Sequence, residues 1–193
     1  MKNNLCFIDV ETTGLNPAVH EVIEIALILE GEEGLHRFST KIKPKYIEHA
    51  EPRALEVNGF NHEEWRKAPY DMEVAEEIAS LIDGRTLVGH NVHFDAEFVE
   101  ELLHKCGCKF SPRRRKIDTI TLAHEHLHFW PAHSLSSLRL FFGIPTEGEH
   151  RALKDCEDMR AIYYRLLRAP AWRRAYWKVR SNYITWMWKK AKK

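Results

Sequence analysis

The sequence predicts an α/β fold, a mixed sheet with helices on its faces. Three observations predict it. Three β-patterned segments follow one another at the start of the chain. Helical patterns then alternate with short apolar stretches, as in parallel strands joined by crossover helices. Hydrophobic residues make up 44% and charged residues 30% of the 193, a composition that supplies a buried core and argues against wholesale disorder.

The elements follow in order. Leu5-Cys-Phe-Ile-Asp-Val10 is a short apolar run stopped by the turn-like Glu11-Thr-Thr-Gly14. Val22 to Leu29 is apolar except for Glu24, and Ile23, Ile25, Leu27 and Leu29 fall on one face at period two. Gly31-Glu-Glu-Gly34 reads as a hairpin turn and Leu35–Ile42 as the returning strand, which completes an antiparallel meander. Pro52 to Val57 forms a short helix ended by Asn58-Gly59. Asp71 to Ile82 forms a longer one, with Asp71 as N-cap and Val74, Ile78, Leu81 and Ile82 on one face. Thr86-Leu-Val-Gly89 lies between Gly84 and a helix starting near Phe94, and fits a buried parallel strand. Further helices are predicted near Asp118–His126, Ser134–Phe142 and Arg151–Leu167. The one composition shift falls at Arg168-Ala-Pro170, which divides the chain into a domain over 1–168 and a basic, aromatic helix or tail over 169–193.

Charge is distributed unevenly. The tail holds eight basic residues and no acidic one, so the body sets the other 21 basic residues against all 28 acidic ones. An acidic body does not suit a protein that only coats nucleic acid, but it suits a site built from carboxylates. Cys6, Cys106, Cys108 and Cys156 are irregularly spaced and form neither a zinc pattern nor a disulfide framework. The chain enters its first strand without a signal-type apolar region, and no apolar run reaches the ~18 residues of a membrane span. A cytoplasmic protein with reduced thiols is the expectation.

Most of the chemical signal lies in four carboxylates and a histidine. Asp9 and Glu11 are two residues apart on a strand and therefore point to one side. Asp95 follows the fourth strand within Gly89-His-Asn-Val-His-Phe-Asp95, and Asp155 lies early in a helix within His150-Arg-Ala-Leu-Lys-Asp155. A lone aspartate is usually a solvated surface group, but Asp9 sits in an apolar strand. Acids gathered by a fold repel one another, and a hard divalent cation relieves that repulsion.

Phe7-Ile-Asp-Val-Glu-Thr-Thr-Gly-Leu15 resembles the first motif of the DEDD exonuclease superfamily. Gly89-His-Asn-Val-His-Phe-Asp95 resembles the second, and Ile117-Asp-Thr119 resembles the strand that follows it. His150-Arg-Ala-Leu-Lys-Asp155 resembles the third, in the histidine-bearing DEDDh branch. That branch includes the proofreading subunit of bacterial DNA polymerase III, ribonuclease T, oligoribonuclease and the 3′ repair exonucleases. The resemblance covers about residues 5 to 168 and implies a ribonuclease H-like fold that releases 5′-monophosphates from a 3′ end. It implies that Asp9, Glu11 and Asp155 ligate two divalent cations, Mg²⁺ or Mn²⁺. Asp95 would act near the second, and His150 would be the general base. Two cations about 3.5–4 Å apart can clamp the attacking and leaving oxygens of a phosphodiester. A histidine near its intrinsic pKa of roughly 6.5 can take the water's proton at neutral pH. Gly143-Ile-Pro145 and Gly148 place His150 at the end of a loop that could close on substrate. The resemblance also implies that Thr12 and Thr13 offer backbone or hydroxyl hydrogen bonds to the terminal nucleotide. Leu15 would wedge against the terminal bases, and Asn91 and Phe94 would line the other wall. Phe94 as plain core packing is the competing reading, and Gly14 is expected to matter for its backbone.

Other features carry less. His124 and His128 share a helical face, but no third metal ligand is nearby. Arg113-Arg-Arg-Lys116 is either a solvated loop or a phosphate contact. Leu135-Ser-Ser-Leu-Arg-Leu-Phe-Phe142 faintly resembles a sliding-clamp-binding peptide, and reads better as an apolar helix. Glu24 is either a structural buried acid or a support for the site.

The expected activity is a 3′–5′ exodeoxyribonuclease acting on single-stranded or frayed DNA ends, alone or beside a polymerase or another replication or repair protein. DNA is favoured by overall likeness to the proofreading group, to which Ala54-Leu-Glu-Val-Asn-Gly59 contributes. An exoribonuclease and a non-catalytic nucleic-acid-binding module are the rivals. The tail adds a separate expectation. Trp172, Tyr176, Val179, Tyr183 and Trp186 form one helical stripe, and Trp177, Ile184 and Trp188 a second, among Arg173, Arg174, Lys178, Arg180, Lys189 and Lys190. Either it packs on the domain, or it serves as a nucleic-acid platform, a partner-binding helix or a basic amphipathic helix on an anionic membrane surface; of these functional readings, aromatics and cations presented to a single strand are preferred. Deleting residues 170–193 is expected to raise the KM for DNA and to weaken its salt dependence. A folded truncation with unchanged KM and salt dependence excludes the binding role, and a truncation that fails to fold supports the packing one.

Overall fold

A computed structural model describes residues 4–32, 34–109, 116–145, 151–168 and 177. The described elements are β1 (Leu5–Thr12), β2 (Val22–Gly31), β3 (Gly34–Lys41), a 3₁₀ turn (Ile47–His49), α1 (Pro52–Val57), α2 (His62–Trp65), α3 (Asp71–Ile82), β4 (Thr86–Gly89), α4 (Val92–Lys105), β5 (Lys116–Asp118), α5 (Thr119–His126), α6 (Leu135–Phe142) and α7 (Ala152–Leu167). Five strands make one mixed sheet in the order β3-β2-β1-β4-β5. The first three form the expected antiparallel meander, and β4 and β5 add in parallel to β1. Among the described residues no helix is long and apolar enough to cross a membrane, and all four cysteines are free thiols.

Period two on β1 divides the molecule into two layers. Cys6, Ile8 and Val10 stand opposite Leu29, Leu27 and Ile25. They pack on Val74, Ile78 and Ile82 of α3 and on Phe98, Val99 and Leu103 of α4. The alternate residues Leu5 and Phe7 join Ala26 and Ile28 on the other face, against Ala152, Cys156, Met159 and Tyr163 of α7. Both faces are covered, so β2 is apolar without a break from Ile25 to Leu29. A third cluster joins α5, α6 and the end of α7 around Leu127, Leu138, Phe141, Ile162 and Leu166, and Trp177 packs edge-on against Phe141 and Phe142. The Leu135–Phe142 segment is thus a helix with Leu138 and Phe141 buried. Trp177 is the one tail residue described. The other expectations for the tail, and those for Arg113, Arg114 and Arg115, fall on residues outside the described set.

Several expectations need correction. β1 does not stop at Val10. Glu11 still pairs with Glu24, and Thr12 pairs with Val22 across a bulge. The bulge leaves Ile23 without an opposite residue on β1, so Ile23 drops out of phase with Ile25, Leu27 and Leu29. Its carbonyl instead accepts the Trp65 indole N–H at 2.7 Å. Asp71 is the first helical residue of α3 rather than its cap. Tyr70 holds the cap position, with its N–H bonded to the Glu73 carboxylate at 2.7 Å, and Asp71 pairs with Lys45 at 2.6 Å. α4 begins two residues before Phe94, because Asn91 takes a left-handed conformation (φ 74°) that turns the chain directly from β4 into the helix.

That turn is tight. A Cβ on Gly89 would lie 2.7 Å from the Cα of Val92, a clash with backbone that side-chain motion cannot relieve. Gly89→Ala is expected to cost about 1–3 kcal/mol, in the range of overpacking. It should also shift the start of α4. Chemical denaturation measures the first effect, and backbone NMR shifts around Asp95 the second.

Candidate active site

The described site lies at the carboxyl ends of β1 and β4, where α4 and α7 begin. This edge is where open α/β sheets usually bind ligands. Asp9 and Glu11 project from β1 toward α7. Asp9 stands opposite Ala26 on β2, and the Cys156 thiol of α7 donates to the Ala26 carbonyl at 3.4 Å. The small Ala26 side chain lets the first turn of α7 settle close to the sheet. Asp155 in that turn therefore meets the two strand acids. One carboxylate oxygen from each of Asp9, Glu11 and Asp155 lies within 4.8 Å of the others. No other such metal-competent cluster occurs among the described residues. The His124 and His133 rings pack at a tilt with centroids 4.0 Å apart, and among the described residues no third ligand joins the pair.

Asp95 approaches from α4 and is 4% exposed. It is not part of the cluster of three. One of its oxygens accepts the Val10 N–H at 3.1 Å, which ties the start of α4 to β1. His150 is outside the described residues. Thr12 and Thr13 are buried, and their hydroxyls are engaged within the loop. Thr12 donates to the Gly14 carbonyl at 2.7 Å, and Thr13 accepts the Glu21 N–H at 2.8 Å. Leu15 is 74% exposed at the tip of that loop. Gly14 has no positive φ, but a Cβ there would lie 2.5 Å from the His20 ring, so close approach is what demands glycine. Asn91 is exposed at the start of α4, with its N–H bonded to Asp118 at 3.1 Å. Phe94 is half-buried, its ring 4.8 Å from that of Phe98. It packs on the core and still borders solvent.

The acids sit in an environment that opposes their charge. Burial, and then the neighbouring Asp95, Asp155 and Glu11 charges, hold Asp9 well above the usual carboxylate range, while Arg139 pulls the other way. Glu11 is pushed up to about 8 by burial first and then by Asp155, Glu24 and Asp95, with Arg151 opposing. Burial also raises Asp95 to about 8, against hydrogen bonds from the backbone. An all-oxygen, mutually repelling donor set on two rigid elements fits a hard divalent cation.

Three participants escaped the sequence reading or were left open by it. Glu24 faces Glu11 across β1 and β2 and is 5% exposed, with the Arg151 guanidinium 3.6 Å away. Arg151, next to His150 in the third motif, was read only as the start of a helix. Arg139 reaches the site from α6, and its signal was a charged residue within the apolar Leu135–Phe142 run.

A mixed sheet with carboxylates clustered at its edge points to a class, the metal-dependent nucleases of ribonuclease H-like fold. Comparison with known proteins places the chain within it. The RNase T family, described as exonuclease, matches residues 6–163. The chain belongs to this exonuclease family of the DEDD superfamily. It is 30% identical over 162 residues to DNA polymerase III subunit epsilon of Aquifex aeolicus, covering 83% of this chain and 78% of that one. It is 32% identical over 170 residues to the 3′-5′ exonuclease DinG of Bacillus subtilis, covering 86% of this chain but only 18% of that longer protein. Among solved structures, exonuclease I superposes with a TM-score of 0.75 at 22% identity, over 90% of this chain and 42% of that one. E. coli exonuclease I with a dT13 oligonucleotide superposes with a TM-score of 0.72 at 22% identity, over 86% and 41%. These superpositions bear out the mixed-sheet fold.

The raised acids make a signed prediction. Glu11 ordinarily titrates near 4.5 and here near 8. Between those values the folded protein holds a proton that the unfolded chain has lost. Its contribution to stability is therefore present at low pH and lost as pH rises toward 8. A cation bound to the ionised acids reverses this loss. The rise in Tm produced by Mg²⁺ or Mn²⁺ is expected to be small at pH 6, to grow by pH 8.5, and to shrink in Glu11→Gln. Thermal scans with cation and with EDTA measure it, and an increment independent of pH contradicts it.

Proposed function

We propose that the chain is a metal-dependent 3′–5′ exodeoxyribonuclease. It hydrolyses the last phosphodiester bond at a DNA 3′ end and releases nucleoside 5′-monophosphates. The observation that carries this reading is the convergence of Asp9, Glu11 and Asp155 within 4.8 Å, on a chain of the RNase T exonuclease family. In this reading Asp9, Glu11 and Asp155 hold two divalent cations, Mg²⁺ or Mn²⁺, with Asp95 acting near the second. When bound, such cations polarise the phosphoryl oxygens and align the attacking and leaving groups. The residues of the chain do the rest. His150 takes the proton of the attacking water, Leu15 separates the terminal bases, and Asn91 and Phe94 line the wall opposite the Thr12–Thr13 loop. Residues 1–168 would be the working domain.

DNA is favoured over RNA because the relatives similar over most of this chain include a DNA polymerase III subunit. A structural neighbour also holds a dT13 oligonucleotide. A single strand or frayed end is the preferred substrate, since a paired end must first unstack to enter a carboxylate-lined edge. The polymerase relative is also what makes a polymerase the partner to test, in the cytoplasm.

The test offers 5′-labelled single-stranded DNA, duplex DNA and RNA with Mg²⁺, and again with EDTA. Ladders shortened from the 3′ end, fastest on single-stranded DNA and abolished by EDTA, are expected. Asp155→Asn should lower the rate by orders of magnitude with the fold intact. His150→Ala should lower it by roughly 10²–10⁴-fold, the usual contribution of a general base. Faster digestion of RNA than of matched DNA replaces this reading with an exoribonuclease. Wild-type turnover by Asp155→Asn would end the metal-site reading.

A further inference from the structure

α6 is an apolar helix with a cation on its buried side. Arg139 is 1% exposed, between the buried Leu138 and Phe141. A guanidinium withdrawn from water persists only where its donors are satisfied. Two of its partners come from α7. Nη2 donates to Asp155 Oδ1 at 2.6 Å, and Nε donates to Asp158 Oδ2 at 2.7 Å. Asp155 and Asp158 are three residues apart and so lie on one face of their helix. Both are buried, at 7% and 6% exposure. Lys154 adds a further hydrogen bond to Asp158. One planar group thus spans two carboxylates, with Asp158 as its anchor.

Asp155 is also the α7 member of the acid cluster. It offers an oxygen within 4.8 Å of Asp9 and Glu11, while Arg139 engages its Oδ1. We propose that Arg139 is a positioning residue of the metal site, whose guanidinium, braced on Asp158, fixes the Asp155 carboxylate in the orientation that cations require. This rests on the reading of Asp9, Glu11 and Asp155 as cation ligands. A purely stabilising role accounts poorly for the arrangement, because well-packed apolar residues commonly serve a core as well as a buried ion pair does. Orientation is what a guanidinium adds. Its donors form a rigid fork, whereas a lysine offers a flexible point charge. A free carboxylate can rotate and present two oxygens, but one gripped from behind presents a defined one.

Arg139→Lys separates orientation from charge. It keeps the positive charge beside Asp155, so the pull of the cluster on a cation is unchanged. Only the fork is lost. In the full chain, calorimetric titration with Mn²⁺ is expected to show affinity reduced about 10-fold or more, as when partners of metal ligands are removed. The kcat on single-stranded DNA should fall to a similar degree, with KM unchanged. In an Asp155→Asn background, Arg139→Lys should reduce Mn²⁺ affinity no further, because it acts through Asp155. A folded Arg139→Lys protein with wild-type Mn²⁺ affinity and kcat overturns the proposal. So does an equal loss of affinity in the Asp155→Asn background. If Arg139→Lys does not fold, Asp158→Asn removes the brace instead, and a folded Asp158→Asn protein with wild-type Mn²⁺ affinity overturns it equally. Failure of the underlying reading looks different: Asp155→Asn alone would then bind Mn²⁺ and digest DNA like the wild type.

Discussion

The mutual repulsion of Asp9, Glu11 and Asp155 is the constraint around which the rest is arranged. Carboxylates this close do not gather of their own accord, so packing elsewhere must hold them. The packing is supplied on the same face of the sheet. Phe7 makes an edge contact with Tyr163 at 5.4 Å, and Cys156 and Met159 cover Ala26 and Ile28. At the far end, Arg160 and Tyr164 of α7 bond to Glu30 at the end of β2. α7 is thus clamped along its length, and its acidic first turn has nowhere to retreat. The opposite face supports the same edge through Asp95, whose bond to Val10 joins α4 to β1.

The positive groups near the cluster offset its charge in part. Arg139 lies behind Asp155 and lowers the burden on Asp9. Arg151 lies beside Glu24 and does the same for Glu11. Asp9 and Glu11 nonetheless stay well above their ordinary range. The resulting site is still under-neutralised, which suits the binding of a divalent cation.

Much of this was legible in the chain. The meander could be read from period-two patterning and Gly31–Gly34. α1, α3 and the later helices could be read from apolar faces and end signals to within a residue or two. Asp9 and Glu11 stood out because acids are unexpected in an apolar strand. The failures share a cause. The bulge at Thr12, the left-handed Asn91 and the four-residue α2 depend on contacts made across the fold, such as Trp65 reaching the Ile23 carbonyl. Arg139 was invisible as a site residue for the same reason. Nothing local links it to Asp155, and only the packing of α6 on α7 brings them together. The hydroxyls of Thr12 and Thr13, two residues expected to offer backbone or hydroxyl bonds to a nucleotide, take part in shaping the loop after the first motif.

The alternation along β1 has a further consequence. Cys6, Ile8 and Val10 belong to one layer, and Leu5, Phe7, Asp9 and Glu11 face the other. A pairing error of one residue would exchange the two sets. Two carboxylates would then be driven among Val74, Ile78 and Val99, and apolar neighbours on the strand, Val10 among them, would replace them at the reactive edge. Such a chain would be inactive and also unable to pack. Proofreading of the strand's own assembly is therefore built into the alternation, because the pairing that folds is the same one that gathers the acids.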